Sequence, residues 1–86
     1  MRVNLTPILY QYTSGRTVVD GQGATVAELL ADLDRRFPGL RFRIVDEQDR
    51  IRPHMRIFVA GEAARSLGEA VPAEAEVHIL GALSGG

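Results

Sequence analysis

Residues 25–37 narrow the possible folds more than any other segment. Thr25-Val26-Ala27-Glu28 places a threonine and, three residues on, a glutamate as a capping box requires. Val26, Leu29, Leu30, Leu33 and Phe37 then recur at i, i+3, i+4, i+7 and i+11. That spacing predicts a helix with one apolar stripe, with Glu28, Asp32, Asp34 and Arg35 on the other side. Pro38-Gly39 ends it. In a chain of 86 residues a single small core must bury most apolar side chains, so the stripe needs a sheet to lie on.

The remaining segments supply that sheet. Val3 and Leu5 alternate with Asn4 and Thr6, which predicts a first strand at about residues 2–9, with Pro7 near its end or on an unpaired side. Thr13-Ser14-Gly15 signals a turn and Arg16-Thr17-Val18-Val19-Asp20 is a β-branched run, so the two read as a hairpin. Met55–Ala60, bounded by Gly61-Glu62, and Glu76–Leu80 are two further strands. Residues 40–53 read as a loop with at most a short strand or turn, and 67–72 as a single helical turn or loop. The expectation is an α+β domain over residues 1–80, with a mixed four-stranded sheet and one main helix packed on one face, followed by a flexible C-terminal diglycine tail at 81–86.

Composition excludes several functions. A hydrophobic fraction of 45% with 24% charged residues suits a globular domain, and a net charge of −1 offers no field for nucleic acid. With no cysteine, a disulfide framework, a thiolate metal site and a cysteine nucleophile are impossible, so any sulfur handled must sit on another atom. His54 and His78 are the only histidines, and no metal site is expected. Neither a Ser-His-Asp ordering nor a Gly-rich phosphate loop is present, so the chain is not expected to be an enzyme. No apolar run approaches the roughly 18 residues of a membrane span, and a cytoplasmic protein is expected. All ten basic residues are arginine, so no side-chain amine is available for isopeptide chains. Arg41, Arg43, Arg50, Arg52 and Arg56 form a basic stretch that is either a solvated face or a contact for an acidic partner.

The chain closes on Gly85-Gly86. Fraying alone accounts for many such endings. Here, however, residues 81–86 leave a predicted strand, and six extended residues reach roughly 20 Å, far enough to enter another protein's active site. Two glycines pass a channel only a backbone wide and adopt φ values closed to other residues. A terminal carboxylate with a pKa of about 3.5 is ionised at neutral pH and can attack the α-phosphate of ATP. Displacement of AMP by a persulfide sulfur then leads to a thiocarboxylate. In the last two strands, alternation separates Ile57, Val59, Val77 and Ile79 from Phe58, His78 and Leu80. If the first set meets the helix, the second decorates the open sheet face and forms a candidate partner-docking surface.

The opening strand, the helix from Thr25 to Phe37-Pro38-Gly39, Ile57-Phe58-Val59 leading into Gly61-Glu62, and Glu76-Val77-His78-Ile79-Leu80 followed by the diglycine together resemble the MoaD/ThiS sulfur carriers of the ubiquitin-like β-grasp fold. The resemblance spans nearly the whole chain and rests on the order of motifs that are individually weak. It implies that an E1-like adenylating enzyme, using ATP and Mg, activates Gly86, and that no cofactor is bound by the chain itself. A desulfurase or rhodanese-like protein then supplies sulfur, and a sulfur-accepting synthase receives it. Gly86 would carry the acyl-adenylate and then the thiocarboxylate, with Gly81, Ala82, Leu83, Ser84 and Gly85 threading into the partner. Thr6-Pro7-Ile8-Leu9 with the Thr13-Ser14-Gly15 turn is similar to carriers feeding cysteine or secondary-metabolite biosynthesis, whereas the helix is equally similar to the molybdopterin-synthase small subunit. Ala60 stands where asparagine is frequent in that family, and Gly81 where proline often precedes the tail. A modifier joined through Gly86 to lysines shares the adenylation step, and a β-grasp interaction domain with an incidental diglycine is a third class.

Overall fold

The computed structural model describes residues 1–81. Strands β1 (Arg2–Asn4), β2 (Val18–Asp20), β3 (Met55–Val59), β4 (Glu62–Ala64) and β5 (Val77–Gly81) form one sheet in the order β2-β1-β5-β3-β4. The central pair, β1 and β5, is parallel and the other pairings are antiparallel. Helix α1 (Val26–Arg36) lies on one face, and a one-turn helix α2 (Leu40–Ile44) follows it. The α+β architecture and mixed sheet are as expected, with five strands in place of four.

α1 forms where the capping box requires. Thr25 Oγ1 accepts from the Glu28 N–H at 3.2 Å, and Glu28 Oε1 accepts from the Ala24 N–H at 2.9 Å. The next free donors of the first turn find main-chain partners: Val26 N–H donates to Glu69 O and Ala27 N–H to Leu67 O. The segment expected as a turn or loop at 67–72 therefore seats the helix N-terminus. Val26, Leu29, Leu30 and Leu33 are buried against Val3, Ile57, Val77 and Ile79 in one core. On the outer side Asp32 pairs with Arg35 at 2.5 Å and Arg36 at 2.8 Å.

Three local expectations are corrected. The first strand stops at Asn4 rather than continuing to residue 9, because Pro7 opens a 3₁₀ helix over Pro7–Tyr12, in which its missing N–H costs nothing. That helix buries Leu9 over the core. Residues 40–44 are helical because Gly39, at φ 95°, redirects the chain and Asp34 Oδ1 accepts from the N–H groups of Gly39 and Arg41. Leu40 and Ile44, four apart, are thereby buried together. The fifth strand, β4, returns on β3 through a two-residue turn in which Ala60 and Gly61 both have positive φ, 51° and 86°. This is the conformation that two-residue hairpins favour. Among the described residues no helix is long and apolar enough to cross a membrane.

Candidate functional site

Two features bear on the expected site: the sheet face opposite α1, and the end of β5 from which the diglycine segment continues. In the register of β3 on β5, Ile57 lies opposite Ile79 and Val59 opposite Val77, while Phe58 lies opposite His78 and Arg56 opposite Leu80. Ile57, Val77 and Ile79 are fully buried on the helix side. Phe58 and His78 are half-buried on the open side, and Leu80 is 45% exposed there. The structure thus brings Phe58, His78 and Leu80 together on one surface, because neighbouring strands put non-adjacent residues of one parity side by side.

The same face carries polar groups as well. Asn4 aligns with His78 across the parallel pair and donates to Glu76 Oε2 at 3.0 Å and to Val77 O at 3.2 Å. Arg2 Nε lies 3.6 Å from the same oxygen of Glu76, and His78 Nε2 lies 3.9 Å from Glu76 Oε1. Glu76 therefore gathers Arg2, Asn4 and His78 along one border of the apolar pair Phe58 and Leu80. Arg56, beside Leu80, marks another. The signal for Arg56 is in the sequence, as it shares parity with Phe58 in one strand, whereas Asn4 joins the face through the pairing of β1 with β5.

Gly81, expected as the first residue of the tail, is instead the last residue of β5, opposite Met55. A ladder position needs only the main chain, and here it also favours a small residue. A Cβ on Gly81 would sit 3.3 Å from Ile8 Cδ1 and Thr6 Cγ2, and 3.4 Å from Met55 Sδ. The 3₁₀ helix thus covers the end of β5, holding the point from which the chain continues. Ala82, Leu83, Ser84, Gly85 and Gly86 lie outside the described residues. Among the described residues no group of three or more histidine or acidic side chains is placed to hold a metal ion. His54 precedes β3, whereas His78 lies within β5.

Comparison with known proteins agrees with this geometry. The chain matches the ThiS family over residues 4–86. A chain of the Amycolatopsis orientalis BexX/CysO complex superposes with a TM-score of 0.90 at 30% identity, covering 99% of this chain and 98% of that one. CysO from Mycobacterium tuberculosis, described as an antigen, gives a TM-score of 0.88 at 25% identity, with 95% and 98% covered. SAMP1 from Haloferax volcanii gives 0.77 at 33% identity, with 100% and 98% covered. No match was found among curated proteins. The shared architecture is the ubiquitin-like β-grasp fold.

Proposed function

Because the chain belongs to the ThiS family of ubiquitin-like sulfur carriers and modifiers, we propose that it is a protein co-substrate whose Gly86 carboxylate is activated and then carries sulfur. The observation that bears most weight is the family match, which runs to Gly86 and so includes Gly85-Gly86. The packed end of β5 at Gly81 supports it, since a fixed root lets a partner receive the following segment at a defined distance.

The chemistry belongs to partners. A Gly86 carboxylate oxygen attacks the α-phosphorus of ATP, the bond to the β-phosphate breaks, and pyrophosphate leaves with the adenylating enzyme's Mg. The terminal sulfur of a donor persulfide then attacks the acyl carbon, and AMP departs. A thiol cleaves the resulting acyl disulfide, forming a disulfide with the donor sulfur and releasing the thiocarboxylate. Since the chain has no cysteine, the persulfide and the reducing thiol are both supplied by others, namely a desulfurase or rhodanese-like donor. The acceptor is a biosynthetic enzyme, of the cysteine, molybdopterin or a secondary-metabolite pathway. One solved relative is a chain of a two-protein complex, which supports transfer by direct docking. Phe58, His78 and Leu80 are the proposed docking face, with Gly81, Ala82, Leu83, Ser84 and Gly85 leading Gly86 into the partner.

Conjugation is a second reading, favoured by the 33% identity to SAMP1, a protein whose name in a second structure is small archaeal modifier protein 1. ATP–pyrophosphate exchange with adenylating enzymes of the source organism tests the shared step. Exchange that depends on the chain and disappears when Gly86 is deleted is expected. Exchange unaffected by that deletion would exclude both readings. Appearance of lysine-linked adducts on other proteins, without sulfur transfer, would favour the modifier.

A further inference from the structure

Where β3 begins and the edge strand β4 ends lies an open cleft of about 340 Å³. Ile51, Pro53, Ala63 and Ala64 give it an apolar lining over the fully buried Met55, and Arg52, Arg56 and Arg65 stand around it. Four arginines elsewhere on the surface have carboxylate neighbours, Arg35 and Arg36 sharing Asp32, Arg41 meeting Asp49 and Arg2 meeting Glu76, while Arg16, Arg43 and Arg50 make no ion pair among the described residues but are not gathered around one cleft. The side chains of the three cleft arginines make no ion pair among the described residues, although Asp46 feels the charge of Arg52 and Glu69 Oε2 accepts from the Arg65 main-chain N–H at 2.6 Å. Two of them are nevertheless held. Arg52 donates through Nε to Phe42 O at 2.8 Å and stacks with its guanidinium carbon 4.6 Å from the Phe42 ring centre. Arg56 donates through Nη1 to Pro53 O at 2.8 Å and Met55 O at 2.9 Å. Carbonyls and a ring hold these two groups without an ion pair, so their remaining N–H donors are arranged in advance for an incoming carboxylate.

From this geometry we propose that the cleft is a second docking site, which receives an acidic segment with aliphatic side chains from the adenylating enzyme. It rests on the proposed carrier function and adds a partner contact to it. Three observations fix the occupant. The apolar lining between the cations matches aliphatic groups set among carboxylates rather than a bare phosphate. The net charge of −1 leaves the positive field local, which suits a short acidic segment and not a polyanion. The position is also apt: Met55 beneath the lining is the residue paired with Gly81, and Arg56 is the residue paired with Leu80. A segment seated here lies one strand, β3, away from the root of the diglycine segment, so it constrains the angle at which the chain enters the enzyme.

The test uses the enzyme that adenylates the wild-type chain, with pyrophosphate release as the readout. The Arg65 side chain makes no hydrogen bond or ion pair among the described residues, while its main-chain N–H donates to Glu69 Oε2 at 2.6 Å, so Arg65→Glu removes no side-chain contact and, with its fold checked by circular dichroism against the added charge beside Glu69, is the primary variant. Arg52→Gln/Arg56→Gln is the second, checked for folding by circular dichroism. Arg16→Glu changes net charge equally at a site near β2, on the other edge of the sheet, and serves as the control. Arg65→Glu is expected to raise the KM for the carrier on the order of tenfold with kcat unchanged, and to weaken its dependence on salt. The Arg52→Gln/Arg56→Gln pair shifts KM in the same direction, while Arg16→Glu leaves it alone. Unchanged KM in both cleft variants, an equal rise in Arg16→Glu, or a fall in kcat alone would overturn the proposal. So would saturable binding of inorganic phosphate or ATP to the free chain through these arginines. If wild type is not adenylated at all, the carrier function itself fails, an outcome distinct from adenylation that ignores the cleft.

Discussion

Ile79 and Leu80 are adjacent in β5 but face opposite ways, so truncating each in turn separates stability from docking. Ile79 is fully buried against the helix layer, and removing three of its carbons costs about 2–5 kcal/mol through lost transfer energy and the cavity left behind. For a domain of this size each kcal/mol lowers the melting temperature by about 4–8 °C, so Ile79→Ala should melt at least 8 °C below wild type. Leu80 is 45% exposed and packs only against the open face, so Leu80→Ala should cost about 1 kcal/mol or less. The functional order reverses. Leu80→Ala removes an apolar contact from the proposed docking face and should raise the KM for adenylation roughly tenfold, about 1–2 kcal/mol of binding. Urea unfolding with a common m-value gives the stability difference, and steady-state pyrophosphate release gives KM. Equal destabilisation by the two substitutions, or greater destabilisation by Leu80→Ala, would mean that the faces of β5 are assigned wrongly. A normal KM in a folded Leu80→Ala protein would remove Leu80 from the docking face.

Further substitutions test other parts of the structure. Thr25→Ala deletes the side-chain acceptor for the Glu28 N–H and should lower unfolding free energy by about 1 kcal/mol, measured by urea titration. Ala60 has a φ of 51°, so Ala60→Asn, with a side chain better suited to that region, should raise stability by about 0.5–1 kcal/mol in the same assay. Partial burial pushes the Asp32 carboxyl upward. The hydrogen bonds from Arg35, the Gln22 N–H and Arg36 outweigh it and hold the group below its ordinary value of 3.8. A depressed folded value contributes stability at pH above 3.8 that is lost as pH falls through the folded value. Asp32→Asn should therefore flatten the acid limb of the stability profile and leave its shape near neutrality unchanged.

Much of this arrangement is legible in the sequence where local and tertiary signals agree. The capping box and the apolar stripe of α1 specify the same helix twice over, and the β-branched residues of β3 and β5 share one parity, which separates the two faces even though Phe58 and Leu80 are apolar on the open one. The misses have physical causes. Leu40-Arg41-Phe42-Arg43-Ile44 alternates apolar and charged residues, yet burial of Leu40 and Ile44 together, with Asp34 capping the turn, makes it helical. β4 carries Glu62-Ala63-Ala64, residues with little strand preference, and exists because the positive φ values at Ala60-Gly61 fold it back on β3. Alternation predicts a strand to about residue 9 with Pro7 near its end or on an unpaired side, but Pro7 begins a 3₁₀ helix. Of the cleft arginines, Arg52 and Arg56 belong to the basic stretch read in the sequence, and Arg65 joins them only through the fold. That Arg52 and Arg56 are fixed by carbonyls and Phe42, while Arg41 is consumed by Asp49, depends on how the segment from α2 to β3 folds back on itself, which charge spacing alone does not specify.

The most direct measurement of the proposed sulfur chemistry is the intact mass of the chain after incubation with its adenylating enzyme, ATP, Mg and a persulfide donor with a thiol reductant. The expected product is heavier by the exchange of one oxygen for one sulfur, with the change localised to Gly86 by fragmentation and absent when Gly86 is deleted. A chain that is adenylated, as shown by pyrophosphate release, yet keeps its original mass in the presence of every competent donor would contradict the carrier function.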